Sequence, residues 1–112
     1  MVTSYIPKRG DVLWLDFNPQ TGHEQAGRRP ALILSPLAYN QKTSLALVCP
    51  ITNQIKAYPF EVLIPENLPI KGVVLCDQVK SLDWKQRNAS FICELPNQDL
   101  QLVTAKLKAL LI

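Results

Sequence analysis

Charge is scarce in this sequence. Asp, Glu, Lys and Arg make up 19% of 112 residues, against roughly 25% in an ordinary soluble domain. With 47% hydrophobic residues, that shortage argues against intrinsic disorder and for a surface partly covered by a partner. The 12 basic and 9 acidic residues leave a net charge of +3, which suits a polyanion held in one local groove and falls far short of a histone-like tail. Histidine occurs once, at His23, which excludes an RNase mechanism built on two imidazoles. Cys49, Cys76 and Cys93 are odd in number, lie far apart and form no CxxC pair, so they are expected to be small apolar residues in a reducing compartment. No apolar run approaches the ~18 residues of a membrane span, and the start MVTSYIPKRG has a turn-like Pro-Lys-Arg-Gly where a secretory signal needs apolar residues. The expectation is a cytoplasmic protein with no membrane association, folded as one domain over residues 1–112. Asp11, Asp16, Glu24 and Asp77 form no clustered ligand motif, so neither metal nor cofactor is expected.

Proline, in contrast, is plentiful. Nine prolines punctuate the chain and leave no room for an ordinary uninterrupted helix before Pro96. Between them lie short apolar and β-branched runs, Asp11 to Phe17, Ala31 to Ser35, Leu45 to Cys49, Phe60 to Ile64 and Val73 to Leu82, which predict an antiparallel sheet curling on itself. Leu37 to Lys42 fits one helical turn. After Pro96, Leu100, Val103, Leu107 and Leu110 recur at helical spacing, with Asp99 near the positive end and Lys106 and Lys108 near the negative end of the macrodipole. The fold class is therefore mainly β: a closed or partly closed antiparallel barrel with a short helix and a C-terminal amphipathic helix packed on it.

The most informative segment is GHEQAGRRP, Gly22 to Pro30, a polar loop held between two strands. Pro30 biases Arg29 toward extended geometry, and a fixed guanidinium suits a phosphate. An exposed Glu24–Arg29 salt bridge is the bland alternative. Arg28 is read as a solvated charge or a secondary phosphate contact, and His23 as a loop residue. Thr52 places a hydroxyl near a strand end, where the commoner use is a local turn hydrogen bond. Asp77 and Gln78 interrupt an apolar run, so they face either solvent or a site. Trp14 and Phe17 either stack bases near the loop or pack in the core.

These residues also carry a resemblance. RGDVLWLDFNP, GHEQAGRRPALILSP, the Tyr39-Asn40 pair, YPFEV from Tyr58 and GVVLCDQVKSLDW from Gly72 resemble, in order and spacing, the MazF/PemK (Kid) family of toxins from bacterial toxin–antitoxin systems. The resemblance implies an SH3-like β-barrel, a homodimer, and metal-independent, sequence-selective cleavage of single-stranded RNA that leaves a 2′,3′-cyclic phosphate and a 5′-hydroxyl. The family's glutamate, arginine and threonine fall on Glu24, Arg29 and Thr52; from their own side-chain chemistry and position, Trp14, Phe17, His23, Arg28, Asp77 and Gln78 are the candidate RNA contacts. It also implies a cognate MazE-like antitoxin with an acidic C-terminal tail, and contact with operator DNA only through that complex. One departure is Leu75, where the PemK branch carries an arginine. A gyrase-directed toxin of the CcdB type depends on a tryptophan near the C-terminus, whereas this chain ends Ala109-Leu110-Leu111-Ile112. A noncatalytic RNA-binding barrel is the remaining alternative.

Overall fold

The computed structural model describes residues 5–17 and 27–112. In chain order the elements are β1 (Asp11–Phe17), β2 (Gly27–Ile33), α1 (Leu37–Thr43), β3 (Leu45–Thr52), β4 (Glu61–Leu63), β5 (Val73–Leu75), β6 (Lys80–Asp83), β7 (Ser90–Glu94) and α2 (Asn97–Leu111). All the strand pairings are antiparallel, in the order β4-β5-β3-β2-β1-β7, with β6 also on β3. The fold is mainly β, as expected. Among the described residues β4 and β7 remain unpaired with each other, so the barrel is partly closed.

β1 spans the expected residues, and its burial alternates where Trp14 turns outward. β2 begins four residues earlier than the sequence predicts, because β1 supplies partners as far as Phe17↔Gly27 even for the polar Gly27–Pro30 end. Its ladder with β3 is shorter and stops at Ala31↔Pro50. The Leu34 N–H donates to the Leu47 carbonyl at 2.8 Å, and N–H groups alternate in direction along a strand, so residue 30 should be the next-but-one donor toward β3. Pro30 has no N–H to give, and the two strands part there.

Pro50 has a matching effect on the opposite edge of β3. By the same alternation its missing donor faces β5 and β6, where the expected single strand from Val73 to Leu82 breaks. β5 pairs with Ile51 and Thr52, β6 pairs with Leu45 to Val48, and a 3-residue 3-10 turn, Cys76–Gln78, lies between them. Asp77 and Gln78 therefore stand on a turn and not inside a strand. β7 was not anticipated as a strand; it pairs with β1 across an irregularity between Val12 and Leu13.

Alternation sends side chains of β1, β2 and β3 to two faces. Leu13, Leu15, Phe17, Ala31, Ile33, Ala46 and Val48 form one buried cluster with Leu82 and Trp84. Val12, Leu32, Cys49 and Ile51 form the other with Val103 and Leu107 of α2. Leu100 packs partly on that face, whereas Leu110 is 43% exposed, so the helix stripe runs past the edge of the sheet before its last turn. Buried Asn40 joins separate segments: its amide nitrogen donates to the carbonyls of Pro7 (2.8 Å) and Ser35 (3.0 Å), and its own carbonyl accepts from the Trp84 indole (3.0 Å). Such a fully engaged polar group fixes how α1 docks. No helix among the described residues is long and apolar enough to cross a membrane.

Candidate active site

The parting of β2 from β3 creates the site. Ala31 and Pro50 are the last paired residues, and Arg29 and Thr52 each lie two residues further along their strands, past the point where the ladder ends. Alternation puts both on the same face as Ala31, Val48 and Leu15. Arg29 is half-buried on β2, held from its other side by pairing with Leu15. Thr52 is 6% exposed, and its Oγ1 accepts the Gln54 N–H at 3.2 Å. The local turn hydrogen bond expected for such a threonine is thus present. It uses a lone pair, and a hydroxyl still carries a proton to donate.

Thr52 lines a groove of about 370 Å³ together with Asp77 and Gln78, which the Cys76–Gln78 turn presents from across β3. Lys56 and Tyr58, from the segment between β3 and β4, and Glu61, the first residue of β4, form the far wall. Sequence reasoning assigned these three no role; the signal was the polar stretch TNQIKAY between two strands, ending in an aromatic residue. A second groove, of about 340 Å³, is lined by Trp14, Arg28, Arg29, Asn53 and Ile70. Ile51 and Asn53, which flank Thr52 in sequence, also line this second groove, so the end of β3 is the wall between the two grooves, with Thr52 lining one and Arg29 the other.

The remaining sequence candidates separate accordingly. Trp14, 39% exposed, and Arg28 lie on the sheet face opposite Thr52. The Arg28 Nη1 sits 3.1 Å from Asp16 Oδ1 across the β1–β2 pair, an exposed ion pair of modest worth. Phe17 is a correction: at 4% exposure it is a core residue, with the Lys80 ammonium 5.9 Å from its ring centroid, so base stacking is closed to it here. Glu24 and His23 lie outside the described residues. Burial pushes the Cys49 thiol well up and that of Cys76 up to about 11, the behaviour of apolar core residues. Among the described residues no group of three or more His, Cys, Asp or Glu is placed to hold a metal ion.

Comparison with known proteins adds an independent line. Residues 8–111 match the family model for the PemK-like, MazF-like toxin of type II toxin–antitoxin systems. The chain is 47% identical over 111 residues to the endoribonuclease toxin MazF of Escherichia coli K12, covering 99% of each protein. Its structure superposes on MazF from Deinococcus radiodurans with a TM-score of 0.93 at 52% identity, covering 96% of this chain and 98% of that one. A MazE–MazF complex from the same organism matches with a TM-score of 0.88 at 52% identity, over 96% of this chain and 97% of that one.

Proposed function

This chain belongs to the PemK-like, MazF-like family of toxins of type II toxin–antitoxin systems, and we propose that the junction of Arg29 and Thr52 is where it cleaves single-stranded RNA. Its activity is that of an endoribonuclease toxin. The observation that supports this reading is the β2–β3 register: Arg29 and Thr52 each lie two residues past the last pair, Ala31 and Pro50, and alternation gives them the same face of their strands.

The chemistry that fits these groups is transesterification without metal. The 2′-hydroxyl attacks the adjacent phosphorus, the P–O5′ bond breaks, and the products are a 2′,3′-cyclic phosphate and a 5′-hydroxyl. A guanidinium offers N–H donors and no acceptor, so the task of Arg29 is to stabilise charge growing on the nonbridging oxygens. Thr52 donates its proton to one of the same oxygens. Glu24 takes the 2′-hydroxyl proton, a role its carboxylate can fill within hydrogen-bond reach, and the leaving 5′-oxygen takes its proton from water. Asp77 and Gln78 contact bases along the first groove, Trp14 and Arg28 lie along the RNA path outside it, and His23 is a further RNA contact.

The functional unit is a cytoplasmic homodimer. A MazE-like antitoxin with an acidic C-terminal tail competes with RNA, since carboxylates replace phosphates as partners of Arg29. Operator DNA is reached only through the antitoxin. The test is cleavage of a long single-stranded RNA in excess EDTA followed by end-group analysis. The expected result is cutting at a short motif with cyclic phosphate and 5′-hydroxyl ends; loss of cleavage in EDTA with recovery in magnesium defeats the proposal.

A further inference from the structure

The ladder between β2 and β3 ends two residues short of Arg29, so the strand pairing that holds Arg29 is the one with Leu15 of β1. The end of β1 has in turn lost its outer neighbour. β7 pairs with β1 no further than Trp14↔Ser90, and two residues before Ser90 the chain takes a left-handed conformation at Asn88 (φ 58°), which ends the extended run. The segment between β6 and β7 grips Asp16 instead. The Asp16 N–H donates to the Arg87 carbonyl at 2.9 Å, and the Asp16 carbonyl accepts from Arg87 Nη1 at 3.1 Å. Arg87 thus serves both main-chain groups of Asp16 as a neighbouring strand would, with its guanidinium standing in for the missing strand N–H. The carboxylate is taken as well, Oδ2 by Asn88 Nδ2 at 3.4 Å and Oδ1 by Arg28 Nη1 at 3.1 Å.

This segment is itself anchored. The Arg87 N–H donates to the Trp84 carbonyl at 3.4 Å, and buried Trp84 donates its main-chain N–H to the Ser44 carbonyl (3.2 Å) and its indole N–H to the Asn40 carbonyl (3.0 Å). A line of bonds therefore runs from α1 through Trp84 and Arg87 to Asp16, one residue from the Leu15↔Arg29 pair. The guanidinium bond to the Asp16 carbonyl is charge-assisted and half-buried, so it belongs to the stronger kind. What such a strut supplies is position, and a displacement of ~1 Å in a group that must meet growing charge can cost about 100-fold in rate.

We propose that Arg87 is a positioning residue for RNA cleavage: its guanidinium fixes the end of β1 and, through the Leu15↔Arg29 pair, the place of the Arg29 guanidinium, without itself touching RNA. This inference rests on the reading that Arg29 acts at the cleaved phosphate.

Arg87→Ala leaves the Arg87 carbonyl to accept the Asp16 N–H and removes only the guanidinium, which makes the test clean. The experiment measures kcat and KM on a short single-stranded RNA spanning a mapped wild-type cut. Arg87→Ala should lower kcat roughly 10- to 100-fold with KM within about threefold. Arg87→Lys should recover most of kcat, since one charged donor suffices here and no fork is needed. Arg9→Ala is the control: it removes a guanidinium bond to a main-chain carbonyl, Nε to Leu34 at 2.7 Å, just past the opposite end of β2, and should leave kcat within about twofold. In an Arg29→Ala background, Arg87→Ala should slow cleavage by less than about threefold more, because the group it positions is gone. A full second loss in that background overturns the inference, as does an equal fall of kcat in Arg9→Ala. A raised KM with a weaker salt dependence and unchanged kcat shows Arg87 meeting a phosphate directly and overturns it too. Where Arg87→Ala does not fold, Arg87→Gln, which keeps a neutral donor, carries the same comparisons. Arg29→Ala at the wild-type rate overturns the reading of Arg29 itself and takes this inference with it.

Discussion

Gly72 is the glycine on which the site leans, and replacing it with alanine tests how tightly β3 is held. Its φ is +119°, and a Cβ built there stands 2.0 Å from the Thr52 carbonyl oxygen, 2.7 Å from the Thr52 carbonyl carbon and 2.9 Å from the Asn53 Cα. All three are backbone atoms, so nothing can rotate out of the way. Gly27 supplies the control, since its φ is +80° with nothing within 4 Å of the added Cβ. Both alanine variants carry a left-handed penalty of ~1–2 kcal/mol. Gly72→Ala adds ~1–3 kcal/mol for displacing packed backbone. Gly27→Ala should therefore lower stability by ~1–2 kcal/mol and Gly72→Ala by ~2–5 kcal/mol, read from urea denaturation midpoints at unchanged m-value. Because the displaced atoms belong to Thr52 and Asn53, the folded fraction of Gly72→Ala should also cleave RNA more slowly than that of Gly27→Ala. Equal destabilisation of the two variants refutes the reasoning, since it means that the close approach at Thr52 costs nothing.

Two further outcomes follow from the site and the core. Arg29→Ala should lower cleavage by ~100-fold or more, in line with losses of comparable donors, whereas Arg28→Ala, which breaks only the exposed pair with Asp16, should lose less than about tenfold; single-turnover rates compare them, and equal losses indicate simple charge attraction. Burial raises the thiols of Cys49, Cys76 and Cys93, so below their ordinary value of 9.0 both folded and unfolded chains keep the protons and the contribution to stability is full. Above it the unfolded chain releases protons first, so stability should fall as pH climbs from 9.0 toward about 11, and Cys76→Ala should make that fall shallower. Urea midpoints across this range check the slope, and an identical slope in the variant contradicts it.

What could be seen in the sequence was whatever local pattern determines. β1 is a short run rich in apolar residues between Gly10 and a polar loop, and Leu100, Val103 and Leu107 mark the face of α2, so both could be placed from residues alone. The polar start of β2 could not, because Gly27 to Pro30 become a strand only through their pairing with β1. The break at Cys76–Gln78 was hidden inside an apolar run for a related reason: its counterpart, Pro50, lies on a different strand. Arg29 and Thr52 each carry chemistry that their own sequence surroundings suggest, but their places just past the last β2–β3 pair depend on a register that no short window contains. Phe17 shows the converse, an aromatic equally suited to stacking or packing until burial decides.

The central claim is that Arg29 and Thr52 act as one unit on the same phosphate. A double-mutant cycle on single-turnover RNA cleavage, with Arg29→Ala, Thr52→Ala and the double variant, tests it most directly. The double variant should be scarcely slower than the slower single variant, because either substitution already leaves the phosphate without its paired donors. Losses that multiply, with each residue contributing the same factor whether or not the other is present, contradict a shared site.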